Sequence, residues 1–172
     1  MASAQQNLSV FDKSNLPDAT NMRFGIVVAE WNSNITESLY QGASQTLLSC
    51  GVTSENIHRI NVPGSFELPS GGKFIASNYK VDAVICLGCV IQGETRHFDF
   101  ICQAVAIGLT SLSVATSIPF IFGVLTTDTE EQAIERAGGK HGNKGIEAAI
   151  SAIKMAGLKS QTSDSKKIGF SK

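Results

Sequence analysis

The sequence is short of the features that define several classes of protein. Its 172 residues hold 14 Lys and Arg against 15 Asp and Glu, for a net charge of -1, and they form no basic block. Because binding to nucleic acid needs clustered basic side chains, nucleic acid is not expected as a partner. No apolar run reaches the roughly 18 residues that cross a bilayer, and the first residues lack the apolar centre of a secretory signal. We therefore expect a soluble cytoplasmic chain that does not bind a membrane.

Cysteine is scarce, and none of it lies in a predicted loop. Cys50, Cys86, Cys89 and Cys102 lie within apolar segments, which is typical of reduced, buried thiols in an intracellular protein. Cys86 and Cys89 match the C-x-x-C spacing of redox and zinc sites. Since this pair lies inside a predicted strand and no second Cys or His pair follows at zinc spacing, we favour packed thiols over a metal or redox site.

Strand and helix patterns alternate through the middle of the chain. Four apolar runs of strand length, each followed by apolar residues at helical spacing, span 24–29, 57–62, 83–89 and 120–125. Short connections between them predict a parallel sheet that helices cover on both faces. The apolar content of 42% suits one well-buried domain, which we place at residues 23–158.

Glycine and polarity set the expected ends of the helices and of the domain. After the last strand we predict helices over 129–137 and 143–156, the second closed by Gly157. The polar, aperiodic ends, residues 1–22 and 159–172, are predicted to be flexible. The helix after the third strand carries two apolar faces, which indicates contact with another subunit as well as with its own sheet.

Unusual residues gather at one edge of the predicted sheet. The carboxyl ends of parallel strands share an edge, and ligands of such folds bind there. Four segments follow these strand ends: Trp31–Asn32, Pro63–Glu67, Gly88–His97 and Thr126–Asp128. We call this the carboxyl edge, and it is the expected place of a binding site.

The segment Gly93–Thr95 is the strongest candidate on this edge. It precedes a helix that opens with His97, and free N–H groups at a helix N-terminus attract phosphate or carboxylate. A histidine in that position can transfer protons at neutral pH. The segment is neither a Walker loop nor G-x-G-x-x-G, so nucleoside triphosphates and dinucleotides are poor candidates. The alternatives are an ordinary turn with Thr95 as the N-cap, and a structural His97 that donates to a backbone carbonyl.

Two more groups on the carboxyl edge offer ligand contacts. Ser65, Phe66 and Glu67 supply a hydroxyl, an aromatic wall and a carboxylate that can accept hydrogen bonds from polyol hydroxyls. Trp31, the only tryptophan, follows the first strand beside Asn32 and offers a face for stacking. The competing explanations are that Glu67 favours the N-terminus of the next helix and that Trp31 packs in the core.

A loop rich in glycine and positive charge, residues 136–145, joins the last two predicted helices. Its three cations and four glycines would let the backbone approach a ligand and bring positive charge with it. A mixed-charge surface turn is the alternative.

Together these segments resemble the lumazine synthase family. The likeness covers residues 23–158 and is most specific at residues 62–67, 88–99 and 133–149. It implies an α/β chain: a three-layer, flavodoxin-like sandwich around a four-stranded parallel sheet. It also implies a transferase of riboflavin biosynthesis that uses neither a metal nor an organic cofactor. The reaction that the resemblance implies is the penultimate step of this biosynthesis. In it, 5-amino-6-(D-ribitylamino)uracil and 3,4-dihydroxy-2-butanone 4-phosphate give 6,7-dimethyl-8-ribityllumazine, phosphate and water.

The resemblance assigns roles to the candidate residues. His97 would relay protons, and Arg136 would hold the phosphate with the backbone of residues 93–95. Phe122, Arg136 and Lys144 would reach the site from a neighbouring subunit, so an isolated monomer would be inactive. The full set implied to bind substrate is Trp31, Asn32, Ser65, Phe66, Glu67, Val90, Ile91, Gly93, Glu94, Thr95, Phe122, Arg136 and Lys144.

Three features depart from many relatives. Trp31 stands where they carry phenylalanine, and its larger ring would let the site hold riboflavin. Gln92 replaces a common arginine and Arg96 a small polar residue, which rearranges charge near the phosphate. The N-terminal extension is also longer than in compact relatives.

The resemblance implies pentamers, which in some members of the family close into a hollow shell of sixty subunits. The short turn at residues 138–142 lacks the insertion of pentameric members, which favours the icosahedral form. Riboflavin synthase is a candidate partner beside the two small-molecule substrates. A flavin-storage module and a purely structural shell protein are the alternative functions.

Overall fold

A single four-stranded sheet organises the chain. The computed structural model describes Ser9 and residues 11–165, without the side chains of residues 160 and 162–165. Its strands are β1 Phe24–Ala29, β2 Ile57–Val62, β3 Ala83–Ile91 and β4 Phe120–Thr127. All four are parallel, as predicted, and they lie in the order β2-β1-β3-β4. The last two strands extend two residues beyond the predicted ends, because residues 90 and 91 pair with residues 126 and 127.

Helices cover both faces of the sheet. They are α1 Ser33–Ser49, α2 Leu68–Asn78, α3 His97–Thr116, α4 Glu130–Glu135 and α5 Lys144–Ser165. Successive side chains of a strand point to opposite faces, so Ile26 packs with α1 and α5 while Val27 packs with α2 and α3. The three-layer sandwich predicted from the sequence is therefore confirmed.

The last helix is longer than predicted. Helix α5 continues through Gly157 to Ser165, so the expected stop at Gly157 is wrong. A Cβ at this glycine would lie 2.5 Å from Cγ of Pro17, which shows that the glycine allows close packing instead. The N-terminal segment thus packs against the helix, and Ala19 is buried in the core. The predicted flexibility of both ends stays a prediction, since residues 1–8, 10 and 166–172 lie outside the described residues.

A short antiparallel hairpin lies between α4 and α5, where the sequence predicted the end of a helix and a loop. Strand β5, Ala137–Gly139, pairs with β6, Gly142–Asn143. Gly138 and Gly142 have φ values of 126° and 80°, a region that glycine enters without strain. Helix α4 therefore ends at Glu135 and not at the predicted residue 137.

Helix α3 buries little of its apolar surface. Val105 and Leu109 pack into the core, whereas Phe100, Ile107 and Val114 are exposed. Among the described helices, α3 alone is long and apolar enough to cross a membrane by length and composition, which the interrupted runs of the sequence did not lead us to expect. Its packing makes it a layer of the sandwich. Its exposed face is apolar, as the sequence indicated, and contact of this face with another subunit stays a prediction.

Candidate active site

Backbone hydrogen bonds join the loops that follow the parallel strands. After β1, the N–H of Trp31 donates to the carbonyl of Pro63 at 3.2 Å, in the loop after β2. After β3, the N–H of Gln92 donates to the carbonyl of Thr127 at 2.8 Å, at the end of β4. The carboxyl edge thus brings together the site residues predicted at the ends of β1, β2 and β3.

The loop after β1 presents an indole ring to solvent. The side chain of Trp31 is 73% exposed, so core packing is wrong within this chain and a stacking face is available. Asn32 has the left-handed backbone, at φ 59°, and its Nδ2 donates to the carbonyl of Cys89 at 3.0 Å. This amide joins the end of β1 to the end of β3 and fixes the backbone beside the indole.

A buried hydroxyl lies below the loop after β2. Ser65 begins a 3-10 turn, is 6% exposed, and its Oγ has no hydrogen-bond partner among the described residues. A Cβ at Gly88 would lie 2.6 Å from this oxygen, so the glycine makes room for the hydroxyl. Phe66 is exposed, and Oε2 of Glu67 accepts from the N–H of Gly64 at 3.0 Å. The predicted trio therefore combines a buried hydroxyl, an exposed ring and an oriented carboxylate.

We call residues 92–96, between β3 and α3, the anion turn. Gly93, Glu94 and Thr95 are exposed, and none of their N–H groups donates a hydrogen bond to a described residue. A Cβ at Gly93 would meet nothing within 4 Å. The turn therefore leaves three backbone donors and open space at the positive end of helix α3, which suits an anion.

His97 is the first residue of α3 and is exposed. Its side chain donates to no backbone carbonyl of the described residues, so the structural alternative finds no support here. The hydroxyl of Thr95 accepts from the N–H of His97 at 3.4 Å, although the N-cap position belongs to Arg96. The imidazole is thus placed next to the anion turn and free to meet a ligand.

Residues 136–144 form what we call the cation loop. The N–H of Lys144 donates to the carbonyl of Arg136 at 2.9 Å, which brings the two backbones together. Lys144 also pairs with Glu147, at 2.9 Å between Nζ and Oε2. Arg136 is half-buried in a cleft of about 600 Å³. The other residues lining this cleft are Thr126, Thr127, Glu131, Gln132, Glu135, Lys140 and His141.

Phe122 lies away from the carboxyl edge of its own chain. It pairs with Cys86, four residues before the pair of Val90 and Thr126. At a rise of about 3.3 Å per residue, this places it roughly 13 Å below the edge. Phe122 is 37% exposed and lines a second cleft, of about 480 Å³, together with Lys144. One chain therefore does not bring Phe122 to the anion turn.

The C-x-x-C pair consists of free thiols inside β3. Burial raises the pKa of both thiols, that of Cys89 to about 11, and the carboxylate of Glu130 adds to the effect at Cys89. Cys50 and Cys102 are free but only half-buried, so the prediction that all four are buried is wrong for these two. Among the described residues, no group of three or more His, Cys, Asp and Glu side chains is placed to hold a metal ion.

One residue of the cation loop was not among the site residues predicted from the sequence. Asn143 is 8% exposed, and its side chain makes three hydrogen bonds. The signal available in the sequence is an asparagine that lies between Gly142 and Gly145, so that glycines flank a polar side chain.

The fold and the carboxyl edge define a class: a flavodoxin-like α/β sandwich whose carboxyl edge combines a turn suited to an anion, a histidine and an exposed indole. Comparison with known proteins is more specific. The family described as 6,7-dimethyl-8-ribityllumazine synthase matches residues 21–160. The chain belongs to this family, which confirms the predicted resemblance and, at the level of the family, a transferase of riboflavin biosynthesis.

Named relatives match nearly the whole chain. The 6,7-dimethyl-8-ribityllumazine synthase of Cytophaga hutchinsonii is 61% identical over 155 residues, which cover 90% of this chain and 97% of that protein. Proteins of the same name from Flavobacterium johnsoniae and Porphyromonas gingivalis are each 56% identical, over 95% and 92% of this chain and 86% and 98% of their own.

Proposed function

We propose that the chain condenses 5-amino-6-(D-ribitylamino)uracil with 3,4-dihydroxy-2-butanone 4-phosphate to 6,7-dimethyl-8-ribityllumazine. The observation that carries the proposal is the anion turn, where three free N–H groups lie directly before an exposed His97. The test mixes the purified protein with both substrates and follows lumazine fluorescence and released phosphate. Equal amounts of the two products support the proposal, and an absence of both overturns it.

The two substrates divide the site between them. Trp31 stacks on the pyrimidine, Asn32 and Ser65 contact its polar edges, and Glu67 holds the ribityl chain. The backbone of Val90 and Ile91 borders the ring beside Phe66. The phosphate takes the N–H groups of the anion turn and the guanidinium of Arg136, because charged partners roughly double the strength of a hydrogen bond.

The reaction needs orientation and proton transfer more than a strong nucleophile. The primary amine of the pyrimidine attacks the ketone, and loss of water gives an imine. Phosphate then leaves by elimination, and the ribityl-bearing nitrogen attacks the remaining carbonyl and closes the ring with loss of a second water. His97 accepts and returns protons in these steps, since imidazole changes charge near neutral pH. Holding both substrates together supplies the rest of the rate.

The family implies assembly of several subunits, and we propose a shared active site within a pentamer. The exposed apolar residues of α3 supply a contact surface. A neighbouring subunit would bring Phe122, Arg136 and Lys144 to the anion turn, which accounts for the place of Phe122 below the edge. We further propose a cytoplasmic protein, without nucleic-acid or membrane partners, and riboflavin synthase as a candidate partner.

We propose that twelve pentamers close into a shell, because a tight hairpin over 137–143 leaves no inserted segment. Light scattering on the purified protein tests the size. Sixty copies of the 18.2 kDa chain weigh about 1.1 MDa and five weigh about 91 kDa. The smaller mass would overturn the shell and leave the pentamer standing.

Riboflavin is a second ligand that the exposed indole supports. A flavin ring is larger than the pyrimidine, and the side chain of Trp31 offers a broad, solvent-facing surface for it. Titration of the protein with riboflavin is expected to quench flavin and tryptophan fluorescence together. Unchanged fluorescence up to millimolar riboflavin would exclude this binding.

A further inference from the structure

Asn143 is a buried amide whose every polar atom has a partner. Its Nδ2 donates to the carbonyl of Ser38 at 2.9 Å and to the carbonyl of Ala137 at 3.2 Å, and its Oδ1 accepts from the N–H of Gly145 at 2.8 Å. The side chain thus links helix α1, strand β5 and the start of α5. A fully satisfied buried network of this kind rigidifies the segments that it joins.

Glycines leave the space that this amide occupies. A Cβ at Gly42 would lie 2.5 Å from Oδ1 of Asn143, and a Cβ at Gly145 would lie 2.9 Å from the same atom. The second would also strike the carbonyl of Leu39 in α1. The two glycines therefore let helix α1 approach the cation loop closely around the amide of Asn143.

The backbone of Asn143 is held as well. Its N–H donates to Oγ of Ser9 at 2.7 Å, and the same hydroxyl donates to the carbonyl of Asn143 at 3.2 Å. These two bonds connect positions 134 residues apart in the chain. The N-terminal segment thereby reinforces the place of the cation loop.

The side-chain bonds fall directly beside the two cations of the proposed site, Arg136 and Lys144. Ala137 follows Arg136, and Gly145 follows Lys144, so the amide of Asn143 forms a hydrogen bond with the residue after each cation. The hydrogen bond from the N–H of Lys144 to the carbonyl of Arg136 completes the frame. We propose that Asn143 is a positioning residue that sets the directions of Arg136 and Lys144 toward the phosphate ester, an inference that rests on the proposed function.

The substitution Asn143→Asp tests the amide with the least change of volume. Carboxylate oxygens only accept hydrogen bonds, so the oxygen that replaces Nδ2 would face the carbonyls of Ser38 and Ala137. The loop would be pushed from its place while the residue stays the same size. We expect the KM for the phosphate ester to rise about 10-fold or more, with the KM for the pyrimidine and kcat within about 3-fold.

A matched control separates this role from general loss of structure. Oδ2 of Asp82 accepts from the N–H of Arg23 at 2.7 Å, 59 residues away in sequence and at the amino ends of β1 and β3. Asp82→Ala removes a comparable long-range side-chain bond, and neither KM is expected to change. Equal changes in both KM values of Asn143→Asp, or a loss of kcat alone, would overturn the positioning role.

Arg136→Ala, measured in parallel, distinguishes failure of this inference from failure of the proposed function. If Arg136→Ala leaves the KM for the phosphate ester unchanged, the proposed phosphate contact is wrong. If Arg136→Ala raises that KM and Asn143→Asp does not, the positioning role is wrong. Should Asn143→Asp not assemble, Ser9→Ala serves instead: it removes the two hydrogen bonds to the backbone of Asn143, so we expect a rise of about 3-fold, and no rise overturns the inference.

Discussion

The anion turn and the cation loop are both proposed to hold the same phosphate, yet they are built in opposite ways. Within the anion turn, the side chain of Gln92 donates to the carbonyl of Gly93, and the next three N–H groups have no partner among the described residues. The cation loop instead carries bonds from Lys140 and His141 to Glu135, besides those of Asn143.

Under the proposed function, binding of the phosphate and positioning of the cation fall to these two different segments. Backbone donors without partners are costly to bury and gain most from a ligand, so the anion turn is the half that a ligand completes. Long cationic side chains lose more conformational entropy on binding than backbone N–H groups do. The hydrogen bonds of the cation loop hold the backbone that carries these side chains. Binding of a ligand should therefore order the anion turn more than the cation loop.

The largest expected effect concerns the histidine of the anion turn. His97→Ala should lower kcat by about 10²-fold, near the weak end of general acid–base catalysis, because orientation supplies most of the rate. Initial rates at saturating concentrations of both substrates measure it. His58→Ala, which removes the ring stacked on Tyr79 at 4.3 Å in β2, is the control and should keep its rate. A loss above about 10⁴-fold would show that proton transfer dominates.

The guanidinium of the cation loop comes next. Arg136→Ala removes a charge-assisted contact of about 1.5–3 kcal/mol, so the KM for the phosphate ester should rise about 10- to 100-fold. Lys140→Ala removes a neighbouring cation of the same cleft and should change that KM much less. Equal effects of the two variants would mean that the cleft provides only a diffuse positive field.

Substitutions at two glycines compare packed backbone with open backbone around the anion turn. Gly88→Ala places a Cβ 2.6 Å from Oγ of Ser65 and 2.9 Å from Cδ1 of Leu68, and such overpacking costs about 1–3 kcal/mol. Gly93→Ala meets open space and should stay within about 0.5 kcal/mol. Thermal unfolding midpoints of the two variants measure the difference. A large loss at Gly93 would show that the turn is packed after all.

The smallest expected effect is that the two thiols of β3, the strand before the anion turn, do not react with an alkylating reagent. A raised pKa keeps a thiol protonated to higher pH, and that of Cys89 is about 11. At pH 8 the native protein should therefore leave Cys86 and Cys89 unmodified by iodoacetamide, while the half-buried Cys50 reacts. Peptide mass spectrometry after a timed pulse identifies the modified residues. Modification of Cys89 at pH 8 would contradict the burial of this thiol near the end of β3.

The sheet and its carboxyl edge were predictable because their signals are local. Phe24–Ala29 is a continuous apolar run, as expected for a strand covered on both faces, and strand order then places the loops that follow such runs on one edge. The hairpin at β5 and β6 was not predictable in this way. Its strands have three and two residues, and glycine, which permits both loops and tight turns, makes up most of them.

The other differences come from contacts between distant parts of the chain. Gly157 suggests a helix end when its neighbours in sequence alone are considered, but its surroundings include Pro17. Asn143 shows its value only beside the carbonyl of Ser38, 105 residues away in sequence. The proposed meeting of Phe122 with the anion turn would need a second subunit, and no pattern within one chain specifies its place.

The contact between Gly157 and Pro17 also constrains how the chain can change over time. A side chain added at position 157 would press on the ring of Pro17, two residues before the buried Ala19. We therefore expect a replacement at position 157 to need a compensating one at position 17. Directed evolution starting from Gly157→Ala should recover stability through substitutions at residue 17 before it finds them elsewhere.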